Sequence, residues 1–239
     1  MKHVTAIVLF LALLPASGFA QPVGMPQLLP LVVDLKKAAI GSWAEYKMHL
    51  GDKEVKTRWA MVGRDSKSIT LEMTMEGVLP AQRGGRVTMR MVLDPDPINS
   101  PKPVQEVLMQ MGDGTPVVVP PGPQTRRFEK PDAKTLVGKE KIQVAAGTFK
   151  TKHYRDNTPR GSVDVWVSEE IPPLGLVKIQ TTASGAGPPS IPSATLELVA
   201  SGTGAKPIVT KAAKTLDTKG MVAQPPGMVA QPPAVQIDK

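Results

Sequence analysis

The sequence lacks cysteine altogether and contains few aromatic residues and few histidines. The absence of Cys among 239 residues excludes disulfide scaffolds, thiolate zinc sites and cysteine nucleophiles. Aromatic residues make up 4% of the chain, and histidine occurs three times. The core therefore has to be built from aliphatic side chains and methionine, and few imidazoles are available for chemistry near neutral pH.

Catalytic motifs are also missing. Beyond the N-terminal segment the histidines are His49 and His153, and neither lies in a His-Glu-x-x-His motif or at metal-ligand spacing from another His. No Gly-x-Ser-x-Gly motif is present. We predict a protein that is not an enzyme and has no cofactor or metal, with His153 as an ordinary strand residue. A hydrolase with a metal on His153 and nearby acids is the alternative.

The N-terminal segment has the pattern of a secretory signal peptide. A basic start is followed by an apolar run from Val4 to Leu14 and by small residues at Gly18 and Ala20. The apolar run is shorter than the roughly 18–20 residues that span a bilayer. No Cys follows Ala20 to carry a lipid anchor. We expect cleavage after residue 20 and an exported protein, periplasmic or extracellular, that does not span the membrane.

The C-terminal segment predicts a disordered, proline-rich tail over residues 205–239. Its sequence GMVAQPP occurs twice in succession, at 220–226 and 227–233. Paired prolines are incompatible with a helix interior or a central strand. Residues 21–25 are then a short linker, and residues 26–204 are expected to form a single β-rich domain.

The domain is predicted to consist mainly of strands. Short segments with period-two alternation recur between Gly, Asp, Asn or Pro residues, which indicates an antiparallel sheet. Ile69 to Met75 places Ile69, Leu71, Met73 and Met75 on one face and polar residues on the other. The nine candidate strands are Ser42–Leu50, Glu54–Val62, Ile69–Met75, Arg86–Leu93, Thr135–Val144, Thr148–Arg155, Ser162–Ser168, Gly175–Thr182 and Ala194–Ala200.

Two helices are predicted to cover this sheet. Pro26–Ile40 carries apolar residues at helical spacing and ends at Gly41. Ser100 and Pro101 are favoured at a helix start, and the segment that they open ends at Gly112. The predicted fold class is α+β, mainly β: a strongly curved antiparallel sheet, an open or half barrel of about nine strands, with two covering helices.

Methionine is the most informative apolar residue type. Unbranched thioether side chains pack adaptably and suit surfaces that accept ligands of variable shape. We therefore predict that an apolar concave face binds a lipid or acylated ligand through Leu71, Met73, Met75, Met89 and Met91. The alternative is that these side chains simply fill the core of a domain with few aromatic residues.

Positive charge is concentrated in one segment of the domain. Residues 124–160 contain ten Lys or Arg against four Asp or Glu, a net charge of +6. An exported basic patch is suited to anionic lipid head groups, and the segment lacks the interleaved aromatic residues that stack on nucleic-acid bases. The predicted head-group contacts, with a solvated lysine-rich face as the alternative, are Arg126, Arg127, Lys139, Lys141, Lys150 and Lys152.

A sequence pattern between Gly138 and Lys178 resembles that of exported bacterial proteins related to the outer-membrane lipoprotein-sorting carriers and their receptor. The resemblance rests on AAGTFKTKHY at 145–154, VDVWVS at 163–168 and PPLGLVK at 172–178. It implies an unclosed antiparallel β-barrel whose helices cap an apolar cavity that shields acyl chains. It carries over no site residue.

These observations predict a periplasmic, non-enzymatic binding protein for a lipid or a lipoprotein acyl chain, with peripheral membrane contact and no nucleic-acid partner. The alternative is a structural or interaction module of the envelope that reaches a partner protein through its proline-rich tail.

Overall fold

The computed structural model describes residues 35–50, 53–78, 85–119, 131–158, 161–183 and 193–215. These residues form one sheet of twelve strands. In chain order the strands are β1 (Trp43–Leu50), β2 (Lys53–Arg64), β3 (Ile69–Glu76), β4 (Arg86–Leu93), β5 (Val104–Met111), β6 (Val117–Val118), β7 (Leu136–Val144), β8 (Gly147–Thr158), β9 (Gly161–Val167), β10 (Leu176–Ala183), β11 (Ala194–Gly202) and β12 (Lys214–Thr215). A single 3-10 turn, Ala133–Thr135, is the helical element among the described residues.

The sheet has two arms that meet where β1 pairs with β11. The strand order is β12-β6-β5-β4-β3-β2-β1-β11-β10-β9-β8-β7. We call β1–β6 with β12 the first arm and β7–β11 the second arm. Neighbouring strands are antiparallel throughout the described sheet except for the short parallel pair of β12 and β6. Apart from β12, each arm is therefore a series of hairpin-connected strands.

The second arm is strongly curved. Three strands separate β7 from β11 in the sheet order, so in a flat sheet the two would lie roughly 19 Å apart at the usual strand spacing. Instead the amide of Ala146, in the turn between β7 and β8, donates to the carbonyl of Leu198 on β11 at 3.3 Å. This hydrogen bond brings the β7–β8 hairpin back toward the centre of the molecule.

The core lies on one face of the sheet and continues from arm to arm. In the first arm it contains the alternate residues of β1 to β5, and in the second arm it contains Val163, Val165, Val167 and Ile179. Tyr46 of β1 is fully buried, and its hydroxyl donates to the carbonyl of Leu176 on β10 at 3.1 Å. Alternation places every second side chain of a strand on this face.

The predicted fold class is wrong because the described residues form one open, mainly antiparallel sheet and contain no covering helix. The segment after Ser100 forms β5 instead, pairing with β4 on one side and β6 on the other. A register irregularity after Val104 shifts the alternation, and Leu108 is buried on the opposite face from Val107. Buried apolar residues at 104, 107 and 108 imitate a helical period because this bulged strand is covered on both faces, whereas Met111, which would continue the period, is exposed.

The other predicted helix, Pro26–Ile40, lies partly outside the described residues. Its described part, Leu35 to Ile40, forms turns, with Leu35 and Ala38 buried in the core. The Arg64 guanidinium donates to the carbonyls of Lys36 and Ala38, so these carbonyls find a partner outside any helix. In the described residues the molecule is an open antiparallel sheet, not an α+β fold.

All nine predicted strands are present, with bounds shifted by three residues at most. The strands β5, β6 and β12 were not predicted as strands. Two of these, β6 and β12, have two residues each, which is too short for an alternation pattern to be recognised.

Residues 205–215, which the sequence assigned to the tail, pack along the first arm in the structure. Val209 is fully buried, and the Glu72 carboxylate accepts hydrogen bonds from the amides of Ile208 at 2.7 Å and Val209 at 3.0 Å. Arg90 neutralises the same buried carboxylate at 2.8 Å. The ordered domain therefore extends at least to Thr215. The signal peptide and the GMVAQPP repeat lie outside the described residues.

Candidate functional site

The β7–β8 hairpin brings together four of the six predicted basic contacts. In the antiparallel register Lys139 lies directly opposite Lys152, and Lys141 lies directly opposite Lys150. Residues two apart on a strand share a face, and directly opposed residues point to the same side. The four side chains therefore form a two-by-two array on one face, which we call the lysine square.

The lysine square borders an open groove of about 510 Å³. The groove is lined by both strands of the hairpin, the end of β9 and the turn that follows it: Lys139, Glu140, Lys141, Lys150, Thr151, Lys152, Val167, Ser168, Glu169 and Glu170. Lys152 forms an ion pair with Glu169 at 3.3 Å. Within the described part of the chain no ion pair is found for Lys139, Lys141 or Lys150, and these three residues are exposed.

The arrangement is electrostatically unfavourable without a partner. Directly opposed residues of an antiparallel pair have Cβ atoms about 5 Å apart, and like charges at this distance destabilise a sheet. Lysine side chains reduce the repulsion by spreading into solvent, and an anion between them removes it. The lysine square is therefore a site where a phosphate or carboxylate group is favoured on charge alone.

The opposite face of the same hairpin carries a polar network centred on His153. The Nδ1 atom of His153 lies 3.0 Å from Oε1 of Glu140 on β7, and Nε2 lies 2.6 Å from Oδ1 of Asp164 on β9. The ring stacks on Trp166 with centroids 4.4 Å apart, and the Trp166 indole N–H donates to Glu140 at 2.6 Å. Arg155 Nε also donates to Asp164 Oδ1, at 2.7 Å. The network therefore ties three adjacent strands together.

Sequence reasoning missed this network. It treated His153 as an ordinary strand residue, because no acidic or aromatic partner stands beside it in a known motif. The partners come from β7 and β9, and they face His153 only because the register sets Gly138 and Trp166 opposite it. The sequence pattern that indicates part of the network is the spacing of Asp164 and Trp166 two positions apart in β9, which places both side chains on one face.

The predicted apolar contacts lie in the core of the first arm. Leu71 is opposite Met91, and Met73 is opposite Met89. With Met75 these side chains are at most 6% exposed and belong to the continuous buried cluster. The structure thus places them together on one face, packed against one another and against Trp59 of β2. This apolar face and the lysine square lie in different arms.

The two remaining predicted basic contacts, Arg126 and Arg127, lie outside the described residues. No group of three or more His, Cys, Asp or Glu side chains suited to a metal ion occurs in the described ranges. The Glu140 and Asp164 carboxylates each contact a nitrogen of the His153 ring instead. Among the described residues, no helix has the length and apolar character needed to cross a membrane.

Comparison with known proteins gives structural similarities only. No protein-family model and no curated protein match the sequence. A protein from Bacteroides fragilis described as exported, with a YmcC-like fold, aligns over 70% of this chain and 97% of its own, at 11% identity and a TM-score of 0.35. The hypothetical protein CT021 from Chlamydia trachomatis aligns over 71% of this chain and 90% of its own, at 10% identity and a TM-score of 0.39.

Proposed function

We propose that this chain is an exported, non-enzymatic binding protein whose lysine square holds the anionic head group of a lipid. The observation that carries the proposal is the register of the β7–β8 hairpin, which opposes Lys139 to Lys152 and Lys141 to Lys150. Export is the expectation from residues 1–20.

Two features support a ligand over a merely solvated face. Directly opposed lysines reduce the stability of a hairpin, so the arrangement does not stabilise the folded state. The groove beside the square is a concave surface lined by the four lysines together with Glu140, Glu169 and Glu170, so the lysines outnumber the carboxylates. Lysine binds phosphate groups mainly as a point charge. This mode of binding suits the phosphodiester of a lipid head group at a membrane surface.

The acyl part of the ligand is proposed to contact the apolar face of Leu71, Met73, Met75, Met89 and Met91. These side chains are packed in the core, so an acyl chain has to displace them. Methionine favours such repacking because its three rotatable bonds let it fill irregular space. The head-group contact does not depend on this step, since it uses the other arm of the sheet.

The proposal is tested by sedimentation with vesicles of phosphatidylglycerol in phosphatidylcholine, compared with pure phosphatidylcholine vesicles. We expect binding to the anionic vesicles only. Each lysine at an anionic surface contributes about 1 kcal/mol, so the double variant Lys141→Gln, Lys150→Gln should weaken binding roughly thirtyfold. The matched control is the double variant Lys53→Gln, Lys206→Gln, which removes two exposed lysines elsewhere and should weaken binding much less.

Equal loss in both double variants would show that binding depends on net charge and not on the lysine square. A second arm uses a fluorescent fatty-acyl probe with the wild-type protein. Binding of the probe supports the acyl contact, whereas a protein that binds anionic vesicles and ignores the probe holds the head group alone.

A further inference from the structure

The His153 ring is placed between two carboxylates that come from different strands. Glu140 Oε1 and Asp164 Oδ1 lie 3.0 and 2.6 Å from its two nitrogens. An ionised carboxylate accepts hydrogen bonds and donates none, so both contacts are satisfied together only when both ring nitrogens carry a proton. The geometry is thus complementary to the imidazolium ion, in which the ring is positively charged.

The other groups around the ring define its electrostatic environment. Arg155 of β8 donates to Asp164, and Trp166 of β9 stacks on the ring and donates to Glu140. Lys178 of β10 lies 5.7 Å from the Trp166 ring and forms an ion pair with Glu197 of β11 at 2.7 Å. In the described residues, the two carboxylates are therefore the groups in direct hydrogen-bond contact with the imidazole.

Loss of the second ring proton affects the two carboxylates unequally. The Asp164 side chain is 6% exposed, whereas that of Glu140 is 47% exposed. An unpaired buried carboxylate costs more free energy than one that water can solvate. A neutral imidazole therefore keeps the proton on Nε2, which donates to Asp164. Its unprotonated Nδ1 then faces the Glu140 oxygen, and both of these atoms are hydrogen-bond acceptors.

Glu140 is coupled to the lysine square through the backbone of β7. It stands between Lys139 and Lys141, and adjacent residues of a strand point to opposite faces. The contacts of the Glu140 side chain with His153 and Trp166 on one face restrain β7 at this point, and with it the two lysines on the other face. When His153 is neutral, the Trp166 hydrogen bond alone holds Glu140, so β7 is restrained less firmly; this edge strand has a described neighbour on one side only.

We propose that the Glu140–His153–Asp164 chain positions the lysine square, so that protonation of His153 strengthens the binding of an anionic head group. The inference rests on the proposed function and adds its regulation by pH. The direction is fixed by the geometry: binding is tighter at low pH and weaker at high pH.

The remaining components of the interaction do not titrate in the relevant interval. Between pH 5 and 8 lysine ammonium groups keep their charge. Phosphatidylglycerol carries a phosphodiester, which stays ionised across this interval, so it is a better probe than inorganic phosphate.

The experiment measures the dissociation constant for phosphatidylglycerol vesicles at pH 5.5 and pH 7.5. We expect the wild-type protein to bind about fivefold tighter at pH 5.5, at the lower end of ordinary coupling between sites. His153→Gln should bind with no pH dependence. His49→Gln is the matched control, because His49 is an exposed histidine of β1 and its removal should leave the fivefold difference intact.

A second variant covers the case in which His153→Gln does not fold. Glu140→Gln keeps an acceptor oxygen for Trp166, and its amide pairs with either form of the imidazole, so binding should be independent of pH. Retention of the wild-type pH dependence in either variant would overturn the inference. Binding that is equal at the two pH values in the wild-type protein would overturn it too, while leaving the proposed function in place. No vesicle binding at either pH would reject the proposed function itself.

Discussion

The apolar face of the first arm and the lysine square of the second arm are built by the same kind of cross-strand pairing, with opposite effects on stability. In each, two residues that are two positions apart on one strand lie directly opposite two such residues of the neighbouring antiparallel strand. Met73 opposes Met89 and is buried, whereas Lys141 opposes Lys150 and is exposed. Packing of the methionines stabilises the folded state, whereas repulsion between the lysines destabilises it. The first pairing therefore stabilises the fold, and the second is the site that we propose for an anionic ligand.

Position in the sheet explains why the two arms differ. Strands β3 and β4 have neighbours on both sides, and the residues after β11 pass over their outer face, where Glu72 holds the amides of Ile208 and Val209. Strand β7 is an end strand, and most of its residues are exposed. Charged residues, lysine above all, protect such an edge from pairing with other chains.

The largest expected effect comes from a substitution in the apolar face of the first arm. Met89 is fully buried, so Met89→Ala should lower the free energy of unfolding by about 3 kcal/mol through lost packing and a residual cavity. Met111 lies on the same face but is 43% exposed, so Met111→Ala should cost less than about 1 kcal/mol. Urea denaturation measures both values. Equal losses of unfolding free energy in the two variants would mean that the apolar face is not part of a packed core.

An intermediate effect is expected where the arms meet. Burial raises the pKa of Tyr46, and its neutral hydroxyl donates to the Leu176 carbonyl. Tyr46→Phe leaves that carbonyl without this donor, which should cost about 1 kcal/mol. Because tyrosine ionises near pH 10 in the unfolded chain, the wild-type protein gains this stability below about pH 10 and loses it as the pH rises further.

Denaturation curves between pH 8 and pH 11 check the Tyr46 prediction. The alkaline loss of stability should be smaller in Tyr46→Phe than in the wild-type protein. Tyr154→Phe is the control, since Tyr154 is only half-buried. An unchanged alkaline slope in Tyr46→Phe would contradict the account.

The smallest effect has the opposite sign. Lys150→Gln removes one of two directly opposed positive charges and should raise the free energy of unfolding by about 0.5 kcal/mol. The same change should weaken binding to anionic vesicles. Lys53→Gln, at an exposed position of β2 opposite Leu50, should leave stability nearly unchanged. A loss of stability in Lys150→Gln would show that the square contributes to the fold.

Sequence patterns located the strands well where apolar residues alternate strictly with polar ones, even in β3 and β4, whose polar residues Glu72, Thr74 and Thr88 are also buried. The alternation from Ile69 and from Arg86 predicted β3 and β4 almost to the residue. The same reasoning failed for β5, because the apolar residue Leu108 is buried on its other face and a register irregularity breaks the alternation. The tail boundary at 205 was placed too early for a related reason. The contact that orders residues 208 and 209 comes from Glu72, more than 130 positions away in the chain.

The sequence by itself determined the chemistry that is available and the local periodicity. It determined that methionine and aliphatic residues build the core, that positive charge is concentrated around residues 124–160, and that few histidines are present. Only the tertiary structure decided which lysines oppose each other, which carboxylates face His153, and which alternating rows are buried. The physical reason is that cross-strand register and sheet order arise from pairing between distant segments, whereas periodicity is a property of neighbouring residues.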